Sequence, residues 1–410
     1  MNWHIKIYKG QTTLEQVKNI LKAKMIAYKY RIYPNRMEQQ KLNKTLDLCR
    51  FTYNNLLEEL NKQEKINRGA IQHKIVELKQ EFPMLHDVYS KTLQYECYRL
   101  FSNLRALSRL KKNGRKVGRL RFKGRDWFKT INYNQSGYKF IRTGKHYAIL
   151  KLSKIGEINL RLHREFDGKI KQIAIKKSNN KWHAILLTDG KKDIQKGIGS
   201  VGIDLGIINF IADSNGNKIK SPLFLKKDLK KLKTAQQELF RKVKGSASRR
   251  KARSIISKIH ENIQNKRNDF LHKLSYNYAM SYDTICIEKL NIKDMSQKDR
   301  YWNKRNILDC SCGKFASLLK FKAESAGANV MEVNPRNTTK TCSCCGSIKD
   351  IPIMQRTYNC ECGNSLDRDI NAARNILAQG LGIVESESIV SSSSLKQEAI
   401  SSTPEALGYE

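Results

Sequence analysis

The stretch SVGIDLGIINFIAD, residues 200–213, is an apolar run with one acid, Asp204, set among its hydrophobic residues. Such a run favours a buried strand, and its apolar residues are Val201, Ile203, Leu205, Ile207 and Ile208. Burying an unpaired charge costs several kcal/mol or more. Asp204 therefore either lies at a strand end, facing water or capping the next turn, or has a partner elsewhere in the chain.

Two further acids raise the same question. The strand-forming residues 284–287 lead directly into Glu288, and Asp369 opens a helix in SLDRDINAARNIL, residues 365–377. In that helix the small residues Ala372 and Ala373 permit close packing. Taken singly, each acid has an ordinary interpretation as a strand-end or helix-start carboxylate.

Together, the three acids have a second interpretation, as a metal site at one edge of a sheet. Three converging carboxylates repel one another unless divalent cations lie between them, and hard oxygen ligands select Mg²⁺ or Mn²⁺. Two such ions about 4 Å apart activate a water and stabilise the leaving oxygen in phosphodiester hydrolysis. We therefore predict that Asp204, Glu288 and Asp369 are catalytic and bind two Mg²⁺ (or Mn²⁺) ions.

Cysteines indicate a second metal site. The chain has ten cysteines and no export signal, so metal binding is favoured over disulfides. TCSCCGSIKD (341–350) and YNCECGNS (358–365) each contain a cysteine pair followed by glycine. Four thiolates in two turns suit a closed structural zinc site. We predict one Zn²⁺ bound by Cys342, Cys345, Cys360 and Cys362.

The other cysteines leave an alternative open. Cys344 lies inside the first zinc knuckle, the turn between Cys342 and Cys345, and could compete as a zinc ligand. Cys310 and Cys312, in DCSCG, lie in a helix-like context with no partner pair nearby. We interpret these two as packing residues, together with Cys49, Cys97 and Cys286.

The charge of the chain points to a polyanionic partner. Lys and Arg number 78 against 38 Asp and Glu, a net charge of +40, and nucleic acid fits this excess best. No run of about 18 apolar residues is present, so no membrane span is expected. A long basic helix is predicted over residues 248–279, with one apolar stripe. Its cations either form a solvated face or, as we favour, contact the phosphate backbone of a nucleic acid. This predicted contact surface is called the rail below, and it comprises Arg249, Arg250, Arg253, Lys258, Lys266 and Arg267.

Hydrophobic periodicity divides the chain into regions. A strand is predicted over residues 26–33, ending at Pro34, and helices then extend to about residue 112. Short alternating strands between Val117 and Lys192 suggest a β-barrel-like module completed by the early strand, with a tight hairpin at Asn179–Asn180. From residue 199 onward an α/β pattern follows.

The order of these motifs resembles the TnpB family, the OrfB-type proteins of insertion sequences that are related to type V CRISPR effectors. The resemblance rests on GIDLGI, IEKLNI, NPRNTTKTCSCCG, YNCECG and LDRDINAARNIL, and on the opening YKYRIYPNRMEQQKLNKTLDLCRFTYN with the later RLRFKG. It covers residues 25 to about 400. The 24-residue leader is a departure, as is DCSCGKF, where the family usually has a tryptophan before the glycine.

The resemblance implies a multidomain α/β fold with a β-barrel and a helical lobe. Its nuclease domain would be RuvC-like (RNase H-like) with an inserted zinc ribbon, and the three acids and four cysteines fall on the family's catalytic and zinc positions. The implied segments are an N-terminal extension (1–24), a first wedge-barrel strand (25–34), a helical recognition lobe (35–115), the wedge β-barrel (116–198), the RuvC-like domain (199–336), the zinc ribbon (337–365), a C-terminal helix with the third acid (366–380) and a disordered tail (381–410).

The implied function is an RNA-guided, divalent-metal-dependent DNA endonuclease of the prokaryotic cytoplasm, associated with the nucleoid. It would bind a transposon-derived guide RNA, hold the RNA–DNA heteroduplex by its backbone, and cleave matching double-stranded DNA beside a short adjacent motif. The alternatives are a nuclease-inactive guided DNA-binding regulator, which the intact triad argues against, and an accessory transposase. A single-strand transposase would need a His-x-His pair, and the sequence has none.

Overall fold

The chain divides between Lys191 and Lys192 into two structural units. The computed structural model describes residues 25–190, 197–289, 309–352 and 355–382. The N-terminal extension and the tail from residue 383 onward lie outside these ranges, so the predictions made for them stay predictions.

The first unit begins with strand β1 (Ile26–Tyr33) and three helices, which confirms the predicted order. The helices are α1 (Arg36–Lys62), α2 (Arg68–Glu81) and α3 (Ser90–Lys112). Pro34 follows the strand, and Asn35 then starts α1 with a capping box. The Asn35 side chain accepts a hydrogen bond from the Glu38 amide at 2.9 Å, and the Glu38 carboxylate accepts one from the Asn35 amide at 2.8 Å.

The strands of this unit form one seven-stranded antiparallel sheet in the order β2-β6-β7-β1-β5-β4-β3. The early strand β1 pairs with both β5 and β7, as the periodicity predicted. Asn179 and Asn180 have φ of +46° and +61°, which suits the predicted tight hairpin between β6 and β7. The later strands are β2 (Thr130–Asn134), β3 (Tyr138–Arg142), β4 (Tyr147–Leu152), β5 (Gly156–Arg161), β6 (Ile170–Ser178) and β7 (Lys181–Thr188).

The sheet is strongly curved. Its two edge strands, β2 and β3, are consecutive in the chain and are joined by the short turn Gln135–Gly137. Seven flat strands would separate those edges by about 29 Å, whereas the connection can span only about 15 Å. The sheet is therefore a half-barrel, and its concave side buries Tyr28, Tyr30 and Ile32 of β1.

The second unit contains a mixed five-stranded sheet in the order β10-β9-β8-β11-β12. Strands β8, β11 and β12 are parallel, while β9 and β10 continue from β8 as antiparallel hairpins. The strands are β8 (Ser200–Asp204), β9 (Asn209–Asp213), β10 (Lys218–Lys220), β11 (Thr284–Glu288) and β12 (Asn329–Val333).

Helices and a small ribbon complete this unit. The helices are α4 (Phe224–Phe240), α5 (Ala247–Ser281), α6 (Cys312–Ala326) and α7 (Arg368–Gly380), and the ribbon pairs β13 (Thr357–Asn359) with β14 (Ser365–Asp367). Helix α5 is the long basic helix that the sequence predicted. In the described residues, no helix combines the length and apolar character needed to span a membrane.

Helix α7 lies directly on strand β8. A Cβ atom at Gly202 would lie 2.1 Å from the Ala373 carbonyl oxygen and 2.7 Å from the Leu377 amide nitrogen, so only glycine permits this approach. Ala372 and Ala373 are buried, which confirms the close packing predicted from their size. This contact places the N-terminal turn of α7 near the carboxyl end of β8.

Candidate active site and zinc centre

The three acids predicted from the sequence lie at one edge of the mixed sheet. Asp204 and Glu288 end the neighbouring parallel strands β8 and β11, in which Ile203 is in register with Ile287. Asp369 lies in the first turn of α7. The Asn209 amide, at the start of β9, donates to Asp369 Oδ2 at 3.0 Å.

Burial and mutual repulsion act on this cluster. Burial, followed by the negative charges of Glu288 and Asp369, raises the pKa of Asp204 to about 7. The amide of Leu205 and the cation of Arg368 act in the opposite direction. Burial also raises the pKa of Glu288, partly offset by the hydroxyl of Thr338. The acids therefore carry more negative charge than their protein neighbours neutralise.

This donor set fits divalent cations. Buried carboxylates with uncompensated charge are suitable ligands for Mg²⁺ or Mn²⁺. The residues present therefore suit the two divalent cations predicted from the sequence, which stay a prediction here.

We expect Asp204→Asn to stabilise the metal-free protein, and to do so more at pH 8 than at pH 5. An ordinary Asp has a pKa of about 3.9, whereas that of Asp204 is raised to about 7 in the folded chain. Stability from this carboxyl is therefore fully present below pH 4 and is lost as pH rises through 7. The upper bound is about 4 kcal/mol. Thermal unfolding in magnesium-free buffer without chelator measures the effect.

Asp189 is a control whose pKa shift has the opposite sign, because the Lys171 side chain and the Lys169 amide lower the pKa of its carboxyl. Asp189→Asn should not stabilise the protein at pH 8. Equal melting temperatures of Asp204→Asn and the wild type at pH 8 would show that Asp204 ionises without cost.

Three residues that neighbour the acids were not predicted from the sequence. The Thr338 hydroxyl donates a hydrogen bond to Glu288, and the Asn209 side-chain amide donates one to Asp369. Arg356 Nη1 lies 3.9 Å from Asp369 Oδ1. Thr338 is 50 residues from Glu288 along the chain, and no local pattern marks either Thr338 or Asn209 as a neighbour of an acid.

Asp367 has a different role from Asp369. Its Oδ1 accepts hydrogen bonds from the amides of Asp369 (3.0 Å) and Ile370 (3.3 Å), which caps α7. Its other oxygen pairs with the Lys218 ammonium. Asp367 is therefore the helix-start acid of this motif.

The four predicted cysteines form a cluster suited to structural zinc. The Sγ atoms of Cys342 and Cys362 lie 3.7 Å apart, and those of Cys345 and Cys360 lie 3.5 Å apart. Tetrahedral Zn–S bonds of about 2.3 Å require sulfurs about 3.8 Å apart. Hydrogen bonding with Ser347 lowers the pKa of the Cys345 and Cys360 thiols, the latter to about 6, which favours the thiolate form at these two positions.

The remaining cysteines stay outside this cluster. Cys344 is exposed and contributes its backbone instead, because its amide donates to Cys342 Sγ at 3.4 Å. Gly346 has φ of +78°, the turn conformation expected of the knuckle glycine. The buried thiols are packing residues, as predicted: Cys49, Cys97, Cys286 and Cys310. Cys312 is half-buried at the start of α6.

We expect the purified protein to contain about one Zn²⁺ per chain, as a closed four-thiolate site binds one ion. Cys345→Ser and Cys362→Ser should each lose the metal and unfold the ribbon, because binding of structural zinc is coupled to folding. Cys344→Ser is the matched control and should retain full zinc. Metal analysis by mass spectrometry measures the content, and full occupancy in both ligand variants would show that the ligands are misassigned.

The cations predicted along α5 separate into two groups. Arg250, Arg253 and Lys258 are exposed. The others make contacts within the chain. Arg249 donates to the carbonyls of Leu239 (3.0 Å) and Lys242 (2.7 Å), Lys266 lies 3.5 Å from an Asp228 oxygen, and Arg267 pairs with the buried Asp309. Lys266 is exposed as well, so four of the six predicted cations are accessible, and their role as a rail stays a prediction.

Comparison with known proteins agrees with this architecture. The sequence model of OrfB_IS605, described as "Probable transposase", matches residues 191–299. A "Cas12f1-like, TNB domain" matches residues 313–376, which include the four cysteines, and a "Helix-turn-helix domain" of the OrfB family matches residues 25–68. In this structure the last match covers β1 and the single long helix α1.

Two relatives cover most of the chain. A "Putative RNA-guided DNA endonuclease" of Streptomyces pristinaespiralis is 30% identical over 372 residues, covering 87% of this chain and 89% of the relative. The "Putative RNA-guided DNA endonuclease InsQ" of Escherichia coli K12 is 27% identical over 399 residues, covering 91% and 96%.

A solved structure shares the fold. It is the protein of a Cas12f1–sgRNA–target DNA complex, with a TM-score of 0.57 and 16% identity over 84% of this chain and 83% of that one.

The fold and the sequence matches define an OrfB-type protein of the insertion-sequence class. The chain belongs to the TnpB family.

Proposed function

We propose that this protein is an RNA-guided, divalent-metal-dependent DNA endonuclease. The observation that carries the proposal is the meeting of Asp204, Glu288 and Asp369 at one sheet edge. Each acid comes from a different element, and about 80 residues of chain separate each acid from the next. An ordinary role at a strand end or helix start would not require all three acids to lie together.

The topology around the acids supports a RuvC-like assignment. Three strands joined as hairpins, followed by two strands parallel to the first, match the RNase H-like fold that the family resemblance implies. We assign residues 199–336 and 366–380 to this nuclease domain and 337–365 to the inserted zinc ribbon. The half-barrel with its inserted helices corresponds to the wedge barrel and the recognition lobe.

The residues divide the chemical work as follows. When bound, two Mg²⁺ or Mn²⁺ ions would activate a water and stabilise the leaving oxygen at the scissile phosphate. Asp204, Glu288 and Asp369 would hold them. Thr338 and Asn209 donate hydrogen bonds to Glu288 and Asp369 respectively. In the metal-free protein, the raised pKa of Asp204 leaves this carboxyl largely protonated below neutral pH.

The charge of the chain supports a guide RNA as partner. A net charge of +40 spread along the sequence suits contact with phosphate backbones over a long path. The target sequence would then be read by base pairing, and the protein would read only a short adjacent motif. The relatives from Streptomyces and Escherichia bear names of the same activity.

The nuclease-inactive regulator is disfavoured because all three acids are present, where an inactive site would usually lose one. Sequencing the RNA that copurifies with the protein tests the proposal. We expect one structured RNA from the neighbouring transposon end, with a variable 3′ or 5′ segment. Purification with only random cellular RNA would contradict a guided activity.

A further inference from the structure

A short segment that follows the sheet and includes the first clustered cysteine contacts Glu288 directly and contacts the helix of Asp369 through two asparagines. It comprises residues 338–343 and is called the strut below. Its first residue, Thr338, is only 5% exposed, and its hydroxyl donates to Glu288 Oε1. Its fifth residue, Cys342, is one of the four clustered cysteines.

Helix α7 binds the other side of the strut through two asparagines. Asn371 is fully buried. Its Oδ1 accepts from the Ser343 amide at 2.9 Å, and its Nδ2 donates to the Thr341 carbonyl at 2.8 Å. Asn375, one turn later on the same helix face, donates to the carbonyls of Thr338 (2.8 Å) and Thr341 (2.6 Å).

These contacts connect two acids that come from separate elements. Glu288 ends a strand, whereas Asp369 is two residues before Asn371 on α7. The strut is hydrogen-bonded to Glu288 and to the helix that carries Asp369, and it is continuous with the cysteine cluster. Each α7 asparagine uses its amide on backbone groups of the strut, so neither bond depends on the identity of the strut's side chains.

We propose that Thr338 is a positioning residue for Glu288, and that the strut couples the folded zinc ribbon to the metal affinity of the acids. The inference rests on the proposed function. Thr338 does not touch substrate; it acts by holding the Glu288 carboxylate in one orientation. Partners that orient metal-binding side chains typically contribute about 10–100-fold to metal affinity or activity.

The test uses two shape-conserving substitutions that remove a hydroxyl and one substitution that keeps it. Thr338→Val removes the hydroxyl but keeps the shape, and Thr338→Ser keeps the hydroxyl. Thr339→Val makes the same change at the next residue, whose hydroxyl makes no hydrogen bond in the described part of the chain. Mn²⁺ binding to the full-length protein, followed by electron paramagnetic resonance without RNA or DNA, is the readout, with zinc content measured in parallel.

We expect Thr338→Val to weaken Mn²⁺ binding about 10–100-fold, and Thr338→Ser and Thr339→Val to stay within about 3-fold of the wild type. Zinc content should be unchanged in all three. Cys345→Ser should weaken Mn²⁺ binding as well, because the strut loses its anchor.

Two results would overturn the role of Thr338: wild-type Mn²⁺ affinity in Thr338→Val, or an equal loss in Thr338→Ser. Asp204→Asn separates this failure from a failure of the proposed function. If Asp204→Asn lowers Mn²⁺ binding while Thr338→Val does not, only the positioning role is wrong. If Asp204→Asn binds Mn²⁺ as the wild type does, the metal site is wrong and the strut's role falls with it.

Discussion

Asp204→Ala, Glu288→Ala and Asp369→Ala should each reduce Mg²⁺-dependent DNA cleavage by about 10³-fold or more. Metal ions contribute several kcal/mol of transition-state stabilisation in such sites, and each 1.36 kcal/mol is a factor of ten in rate. Nucleic-acid binding should be largely retained, since it rests on many dispersed cations. Single-turnover cleavage and a parallel binding assay at one salt concentration measure the two properties.

Asp367 is the internal control for this series. It caps α7 and pairs with Lys218, so Asp367→Asn, which preserves capping, should retain most of the activity. Asp367→Ala should lose about 1 kcal/mol of stability and lower the rate modestly. If Asp367→Ala abolishes cleavage while Asp369→Ala leaves it intact, the third catalytic acid has been misassigned.

Removing the copurified RNA should abolish specific DNA cleavage and weaken DNA binding. A nuclease unit alone could cut without a guide, yet here it follows a unit of helices and a half-barrel that has no comparable cluster of acids or thiols among the described residues. An RNA scaffold paired with one DNA strand is a partner that would use this basic surface. High salt removes the RNA, and filter binding then measures the DNA affinity of the protein before and after this removal.

Retention of the RNA should depend steeply on salt. A protein making 6–10 phosphate contacts loses about 10³–10⁵ in affinity between 50 and 200 mM salt. Substituting Arg250, Arg253 and Lys258 together by glutamine should reduce this slope, whereas Lys266→Gln should change it less because Lys266 lies beside Asp228. If the affinity for the RNA does not change with salt concentration, the protein does not bind the RNA mainly through its phosphate backbone.

Local patterns explain why the sequence predicted so much of this molecule. Glu288 follows an apolar run, the cysteines are paired within one turn, and Asn179–Asn180 supplies two residues that tolerate positive φ. Each signal is contained within a few neighbouring residues. The strands, the cysteine cluster and the hairpin were therefore predictable without knowing any long-range contact.

The features that were not predicted depend on contacts distant in sequence. Thr338 meets Glu288 across 50 residues, and Arg267 meets Asp309 across 42. Arg267 looked like one more cation of a basic helix, because the sequence does not show that a buried acid lies opposite it. The curvature of the first sheet likewise depends on the pairing order of its strands, which no single stretch records.

Cleavage of duplex DNA by the wild-type protein, with and without the RNA from its own locus, tests the central claim most directly. One duplex should match the variable end of that RNA and carry the adjacent motif, and a second should be unrelated. The account predicts Mg²⁺-dependent cutting of the matched duplex only, and only in the presence of the RNA. Vigorous Mg²⁺-dependent cutting of the unrelated duplex by RNA-free protein would contradict it.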